Sequence, residues 1–444
     1  MNIMNSRTKI VCTIGPSSAS VKTLSLMMRS GMDAARLNFS HGTHNEHAKL
    51  LRAIREAEKK TKSTITILQD LQGPKIRVGE LKESVRFVRG KTAEIPVTHK
   101  NLYKNLKRGD RILIEDGLIE GVFVKGRSGF VTIQCRVGGT ILSHKGINLP
   151  DSKVRIPVLT AKDKKDIAFG LKNKVDWIAL SFVSKASDVK EIKKIVKSRA
   201  KICVKIEKAE ALKNIKAIIK EADAIMVARG DLGIEIPAEN VPIAQKEIIN
   251  LCRKACKPVI VATQMLDSMI RNPRPTRAEI SDVANAVIDH ADAVMLSGET
   301  ANGAYPVDAV KYMDRAVLSA EASRFDDISL HCSGNNLPAV INKIYAHGRA
   351  DAIVTSAEFE RSAMQVNQDR PEIPILLLCK NDSEARAWNL RSGIVPVVAG
   401  KTNKSDFAKF SKNIIIRKKL VLRGTTIAIV FEKNKKSIIE YIKI

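Results

Sequence analysis

The 444-residue sequence predicts an α/β protein: a (β/α)8 TIM barrel with an inserted small β-barrel lid domain and a C-terminal α/β domain. Three observations carry that expectation. Eight short, near-continuous apolar runs recur within residues 9–297, with helical periodicity filling most of the gaps. Runs of that kind, buried on both faces and alternating with helices, belong to parallel sheets, and eight of them point to a closed barrel. The stretch between the third and fourth runs is far longer than one crossover helix needs, and its texture is different. Past about residue 330 the alternation of strand and helix starts again.

In chain order, the runs are KIVCTI (9–14), AARLNF (34–39), ITILQ (65–69), DWIALS (176–181), KICVKI (201–206), DAIMVA (223–228), PVIVAT (258–263) and DAVMLS (292–297). VKTLSLMMRSG (21–31) and AIREAEKK (53–60) have the apolar spacing of helices between them. The long interruption reads VRFVRG, DRILIEDGLIEGVFVKG and GFVTIQCRVGG, an alternation broken by Gly turns that suits a small all-β module. Barrel residues are therefore expected at 1–73 and 158–330, and the insertion at 74–157. It should emerge at the carboxyl end of the barrel strands, where a lid excludes water. DAIVTS (351–356), IPILLLC (373–379), VPVVA (395–399) and TTIAIVF (425–431) are the strands of the final unit, 331–444, which has no catalytic cluster of its own.

Composition narrows the function classes. Lys and Arg number 75 against 47 Asp and Glu, a net charge of +28. Such an excess raises nucleic acid as a partner, but aromatic residues are only 4% and no base-stacking signature occurs, which argues against it. KKTK (59–62), KDKKD (162–166) and KNKK (433–436) read as solvated surface, and the field they create favours small anionic substrates. No apolar run is long enough for a membrane span, and MNIMNSRTKIVCTIGP has no signal-peptide core, so a cytoplasmic protein is expected. The seven Cys are scattered, mostly within apolar runs, as reduced core residues would be.

The expected strand ends bear the chemistry. R-L-N-F-S (36–40), V-K-I-E (204–207) and V-A-R-G-D-L-G-I-E-I-P (227–237) deliver Arg36, Lys205, Glu207, Arg229 and Asp231. Two carboxylates among three cations suit a divalent metal together with a phosphorylated acid. Asn38, Asp70, Thr263 and Ser297 end strands at the same side of the barrel. H-G-T-H-N-E-H holds His41, His44 and His47, but three-residue spacing around a glycine is a weak metal signature.

These runs, with K-I-V-C-T-I-G-P-S-S, D-L-Q-G-P-K-I-R-V-G, K-G-I-N-L-P, A-T-Q-M-L-D-S-M-I-R-N-P-R-P-T-R-A-E and M-L-S-G-E-T-A-N-G-A-Y-P, make the chain resemble the pyruvate kinase family over residues 9–306. The resemblance implies transfer of phosphoryl from phosphoenolpyruvate to ADP, giving pyruvate and ATP, usually in a homotetramer. It implies Mg2+ or Mn2+ on Glu207 and Asp231, with a second ion arriving with the nucleotide. Lys205 would stabilise the transferring phosphoryl group and Arg36 would bind phosphate. Gly230 and the residues after it would offer N–H groups to the substrate carboxylate, and Thr263 and Ser297 would contact substrate; both could order a water that protonates the enolate, and the sequence leaves the proton donor open. Arg77 and Lys145 match nucleotide contacts, and His41 is expected to line the nucleotide site.

Two departures from the family pattern bear on ions and control. Many members hold K+ at positions corresponding to Asn38, Ser40, Asp70 and the carbonyl of Leu71. Where those members have G-P-E-I-R this chain has G-P-K-I-R, so Lys75, set near Asp70, is expected to supply the charge of K+ and make that ion unnecessary. Leu71 and Gln72 replace the usual threonine and lysine beside it. In the final unit, T-S-A-E-F-E-R-S-A (355–363) lacks the glycine of the sugar-phosphate loop and adds Glu358 and Glu360, so activation by fructose 1,6-bisphosphate is not expected. A shortened final hairpin is also expected. The competing readings are a basic binding protein that has lost catalysis, although no required motif residue is missing, and a different barrel enzyme acting on phosphoenolpyruvate or a related keto acid, such as an aldolase or a phosphotransferase, against which the insertion argues.

Overall fold

A computed structural model describes residues 6–152, 156–326, 337–368, 370–434 and 436–444. Each of the eight apolar runs forms a strand: Lys9–Thr13, Met32–Asn38, Thr66–Asp70, Trp177–Leu180, Lys201–Ile206, Ala224–Ala228, Val259–Ala262 and Ala293–Leu296. Neighbours in sequence are parallel neighbours in space, and the last strand closes on the first with Lys9 opposite Ala293. The strands read as unbroken apolar runs because both faces are covered. The outer side packs on helices, and the interior is filled by Val11, Leu68, Trp177, Met226, Ile260 and Met295 interleaved with small residues. Thr43, Thr160 and Thr276 start the helices His44–Thr61, Ala161–Lys172 and Arg277–Ile288, each in a reciprocal cap with the acidic residue three positions on.

The stretch between the third and fourth barrel strands has its own core around Val78, Ile95, Ile112, Phe123, Val131 and Ile133. It is an antiparallel five-stranded sheet that residues 76–79 close into the small barrel expected, with a two-stranded ladder, Val85–Phe87 with Gly139–Ile141, beside it. Closure runs through that short segment: the Ile147 N–H donates to the Ile76 carbonyl at 2.9 Å on one edge, and the Gly79 N–H donates to the Pro96 carbonyl at 2.8 Å on the other.

The C-terminal unit is a five-stranded sheet in which Ile394–Val398, Ile375–Cys379, Ala352–Ser356 and Thr426–Lys433 are parallel. Its fifth strand, Lys436–Lys443, has no apolar run to mark its length, because half its residues are polar and it lies at an edge. The final hairpin, expected to be short, pairs along its full length from Thr426 with Lys443 to Lys433 with Lys436. The boundary expected at residue 330 lies outside the described residues.

This unit covers the amino end of the barrel. Leu390 is buried in the barrel-interior cluster, Arg370 Nη2 lies 2.5 Å from the buried carboxylate of Asp292, and the Ser392 N–H donates to the other Asp292 oxygen at 3.1 Å. The carboxyl end is left facing the insertion. Among the described residues no helix is long and apolar enough to cross a membrane. None of the six described cysteines forms a disulfide, and Cys332 lies outside the described residues.

Candidate active site

Parallel register fixes which residues reach the carboxyl end of the barrel. Asn38 pairs with Asp70, Asp70 with Ala179, Leu180 with Val204 and Ile206 with Val227. Lys205 and Glu207, two residues apart on an extended chain, point the same way. The result is a buried ion cluster. Arg36 donates from Nε to Asp70 Oδ2 at 2.8 Å, and its Nη2 lies 2.6 Å from the same oxygen. Its Nη1 donates to Thr13 Oγ1 at 2.9 Å. The Lys205 ammonium reaches Glu207 Oε1 at 2.9 Å, Ser181 Oγ at 2.9 Å and Asp70 Oδ1 at 3.3 Å. All three of its N–H donors are thus occupied. Asp70 and Glu207 are each only 1% exposed.

Charges this deep are costly unless paired, and their titration reflects it. Burial alone would raise the Asp70 pKa, but Lys205 and Arg36 overcome it and hold the carboxyl below its usual range. Burial would lower Lys205, and the Asp70 and Glu207 carboxylates more than offset that, so its pKa is raised. Glu207 goes up: burial pushes it, the nearby Asp231 carboxylate pushes the same way, and Lys205 and the Phe182 N–H only partly compensate. That N–H donates to Glu207 Oε2 at 2.6 Å. Two mutually repelling oxygen-ligand carboxylates from adjacent strands form the donor set a hard divalent ion relieves. Among the described residues no group of three or more His, Cys, Asp and Glu side chains could hold a metal, so substrate oxygens or water would have to complete its shell.

The next strand ends in the short helix Arg229–Glu235, which presents Asp231 in its first turn. Its partner is Lys75, with Nζ 3.3 Å from Asp231 Oδ1. This corrects the expected placement of Lys75 beside Asp70, whose two oxygens are already taken by Arg36 and Lys205. Gly146 lies along the lysine stem, and a Cβ there would meet Lys75 Cε at 2.9 Å. The Gly230 N–H, expected to face substrate, donates to Thr263 Oγ1 at 2.8 Å, and that hydroxyl donates to the Ala262 carbonyl at 2.6 Å. Thr263 has φ 73°, a costly conformation for a β-branched residue and one that clusters at functional sites. Arg229 is not part of the cluster. It bonds Asp282 Oδ1 at 2.7 Å and the Thr263 carbonyl at 2.7 Å, bracing the strained loop from behind. Ser297 ends the last barrel strand, with its N–H on Glu299 Oε2 at 2.7 Å.

This geometry has close relatives. Residues 5–310 match the family model described as pyruvate kinase, barrel domain, and residues 339–438 match pyruvate kinase, alpha/beta domain. A pyruvate kinase of Agrobacterium vitis is 44% identical over 417 residues, covering 89% of this chain and 88% of the relative. One from Geobacillus stearothermophilus is 43% identical over 454 residues, covering 96% and 77%. The crystal structure of a pyruvate kinase from Cryptosporidium parvum superposes with a TM-score of 0.91 at 35% identity, covering 99% of this chain and 97% of that one. The chain belongs to the pyruvate kinase family. Its reaction is transfer of phosphoryl from phosphoenolpyruvate to ADP, yielding pyruvate and ATP.

Other residues that pyruvate kinase resemblance singled out stand apart from the ion cluster. Arg77 and Gly146 form an antiparallel bridge in the insertion, which sets Arg77 beside Lys145. Arg77 Nη1 donates to the His144 carbonyl at 2.9 Å, and Lys145 pairs with Glu115. His41 is exposed on the loop after the second strand. The other two histidines of that run pack rather than ligate. His47 stacks on Phe39 at 3.9 Å between centroids, and His44 stacks on Phe169 with Nε2 2.7 Å from Asp166. A cleft of about 1240 Å3 separates insertion and barrel, with Lys75, Asn148, Phe182 and Glu235 among its lining.

Sequence reading missed four groups that bond the candidate site residues of this pyruvate kinase: Thr13, Ser181, the Phe182 N–H and Glu115. Ser181 was available as the last residue of the run DWIALS, at a strand's carboxyl end like the residues that were found. Its hydroxyl accepts from Lys205 and donates to the Leu71 carbonyl at 2.8 Å. Phe182 contributes through its backbone, at φ 57°, and a backbone donor leaves no mark in residue type.

Proposed function

We propose that this pyruvate kinase runs its reaction at the mouth of the barrel on Mg2+ or Mn2+ held by Glu207 and Asp231, and that it needs no K+. The observation that carries the reading is Lys205, 13% exposed and bonded to both Asp70 and Glu207. Those contacts aim a fixed positive charge at the point where negative charge develops during transfer, without reorganisation at that moment. Arg36, oriented by Asp70 and Thr13, binds the phosphate beside it. The divalent ion, when bound, neutralises and orients substrate oxygens. Backbone N–H groups around Gly230 meet the substrate carboxylate once Thr263 gives up its present bond, and Thr263 and Ser297 order water at the enolate face. Residues 74–157 act as a lid over barrel residues 1–73 and 158–330, bringing Arg77 and Lys145 to the nucleotide with His41 beneath.

Independence of K+ is supported by the donors already on the corresponding oxygens. Asn38 Oδ1 accepts from the Ser40 N–H at 3.1 Å, Asp70 already pairs with the two cations Arg36 and Lys205, and the Leu71 carbonyl accepts from Ser181. Lys75 adds a tethered monovalent cation on the Asp231 side. We further infer a cytoplasmic homotetramer, as the family pattern suggests. The test is pyruvate formation from phosphoenolpyruvate and ADP, coupled to lactate dehydrogenase and titrated with Mg2+ in tetramethylammonium buffer. Glu207→Ala and Asp231→Ala should abolish turnover at every Mg2+ concentration. Undiminished activity in either variant overturns the metal assignment.

A further inference from the structure

We infer that Asp163 is the hinge pin of the insertion: a positioning residue, away from the reacting atoms, that ties both ends of the lid to the floor of the active site. The inference rests on reading residues 74–157 as a lid that carries the nucleotide contacts. The chain leaves the barrel past Gly73 and Pro74 and comes back through Pro157 to Thr160. Asp163 is fully buried and receives both strands. Its Oδ1 accepts the Gly73 N–H at 3.1 Å, and its Oδ2 accepts the Thr160 N–H at 2.8 Å and the Thr160 hydroxyl at 2.6 Å. The Thr160 half is a capping box. The bond to Gly73, 90 residues away in sequence, is no part of any cap and joins the outgoing strand to the incoming one.

Gly73 carries the tie inward. Its φ is +68°, and a Cβ there would lie 2.9 Å from Phe182 Cδ2 and 3.0 Å from Ser181 Cβ. Those two residues hold the catalytic pair: Ser181 takes the Lys205 ammonium and the Phe182 N–H takes Glu207. The hinge strand therefore rests in direct contact with the groups that aim Lys205 and Glu207. The helix that bears Asp163 also grips the substrate loop, because Lys162 Nζ donates to the Phe39 carbonyl at 2.6 Å, between Asn38 and Ser40. Close packing seats the inner end of the hinge firmly on the barrel floor, so slack introduced at Asp163 is taken up by the insertion and not by the ion cluster.

A carboxylate is needed because both oxygens accept. A carboxamide of the same shape has one acceptor, and its NH2 would face a donor. Asp163→Asn in the full chain should raise KM for ADP by about tenfold or more while phosphoenolpyruvate affinity, set by barrel residues, changes by less than about twofold. Amide exchange should accelerate at residues 73–79 and across the insertion and stay unchanged in the rest of the barrel. Thr160→Val removes one of the three bonds and should give a smaller change of the same kind. It also keeps the question answerable if Asp163→Asn does not fold. Equal losses for both substrates, or exchange in the insertion unchanged in Thr160→Val and any folded Asp163→Asn, overturn the hinge role. A wild-type protein that makes no pyruvate would count against the reaction instead, and the exchange measurement would still decide the hinge.

Discussion

Lys205 and Asp70 lie on strands separated by one other, yet their charges meet at 3.3 Å across the barrel mouth, with the Ser181 hydroxyl from the intervening strand also on the ammonium. Nothing at this depth is spare: removing any one charge leaves its partners buried and uncompensated. Lys205→Met should lower kcat by roughly two to three orders of magnitude, the scale of losing a preorganised charge at the transition state. Phosphoenolpyruvate binding should remain measurable, because Arg36 stays in place. Retention of roughly a third of the wild-type kcat would show that Lys205 does not act at the transition state.

The same logic gives a pH dependence of stability. His47 is buried, stacked on Phe39, with Nε2 3.0 Å from the His41 carbonyl and Nδ1 without a partner. Burial lowers its pKa, and the His41 carbonyl and Asp166 only partly oppose that. The unfolded chain therefore binds this proton more readily than the folded one. Stability from His47 is complete above the unfolded value of about 6.5 and is lost as pH falls below it. Thermal denaturation followed between pH 8 and pH 5 should show the wild type losing more Tm than His47→Gln. Parallel curves for the two would remove His47 as a cause.

The strands were legible because burial on both faces turns each into an unbroken apolar run. Arg36, Lys205, Glu207 and Asp231 were legible because a charge directly after such a run has only the barrel mouth to occupy. The partner each charge selects was not. Lys75 was matched to Asp70 by analogy of charge, but that choice depends on which oxygens Arg36 and Lys205 have already filled, a matter of three-dimensional competition. Arg229 sits within the same motif as Asp231 and turns the other way, toward Asp282.

Control by sugar phosphate should be absent. In the C-terminal unit the Thr402 N–H donates to Glu358 Oε1 at 3.0 Å, and the Lys404 ammonium lies 3.6 Å from the other oxygen. The Thr402 N–H is the first cause of the lowered Glu358 pKa, and Lys404 adds to it, so the carboxylate stays ionised. The chain's own anion thus occupies the donors that a phosphate would use. Millimolar fructose 1,6-bisphosphate should leave the phosphoenolpyruvate saturation curve where it is. A leftward shift of that curve would show that Glu358 yields its place.

The proposed independence of K+ turns on Lys75. Its ammonium, 3.3 Å from Asp231 Oδ1 and about a quarter exposed, stands at the rim of a cluster otherwise made of Arg36, Lys205, Asp70 and Glu207. With Lys75 the three carboxylates face three cations, and the proposed independence of K+ rests on that balance. Full activity is expected when tetramethylammonium is the only monovalent cation. Lys75→Glu removes one positive charge and sets a carboxylate against Asp231, so it should be nearly inactive in that buffer and recover on adding K+. Lys75→Met, which removes the charge without adding repulsion, should lie between the two. Stimulation of the wild type by about tenfold or more on adding K+ would mean that the Lys75–Asp231 pair leaves the ion's place open.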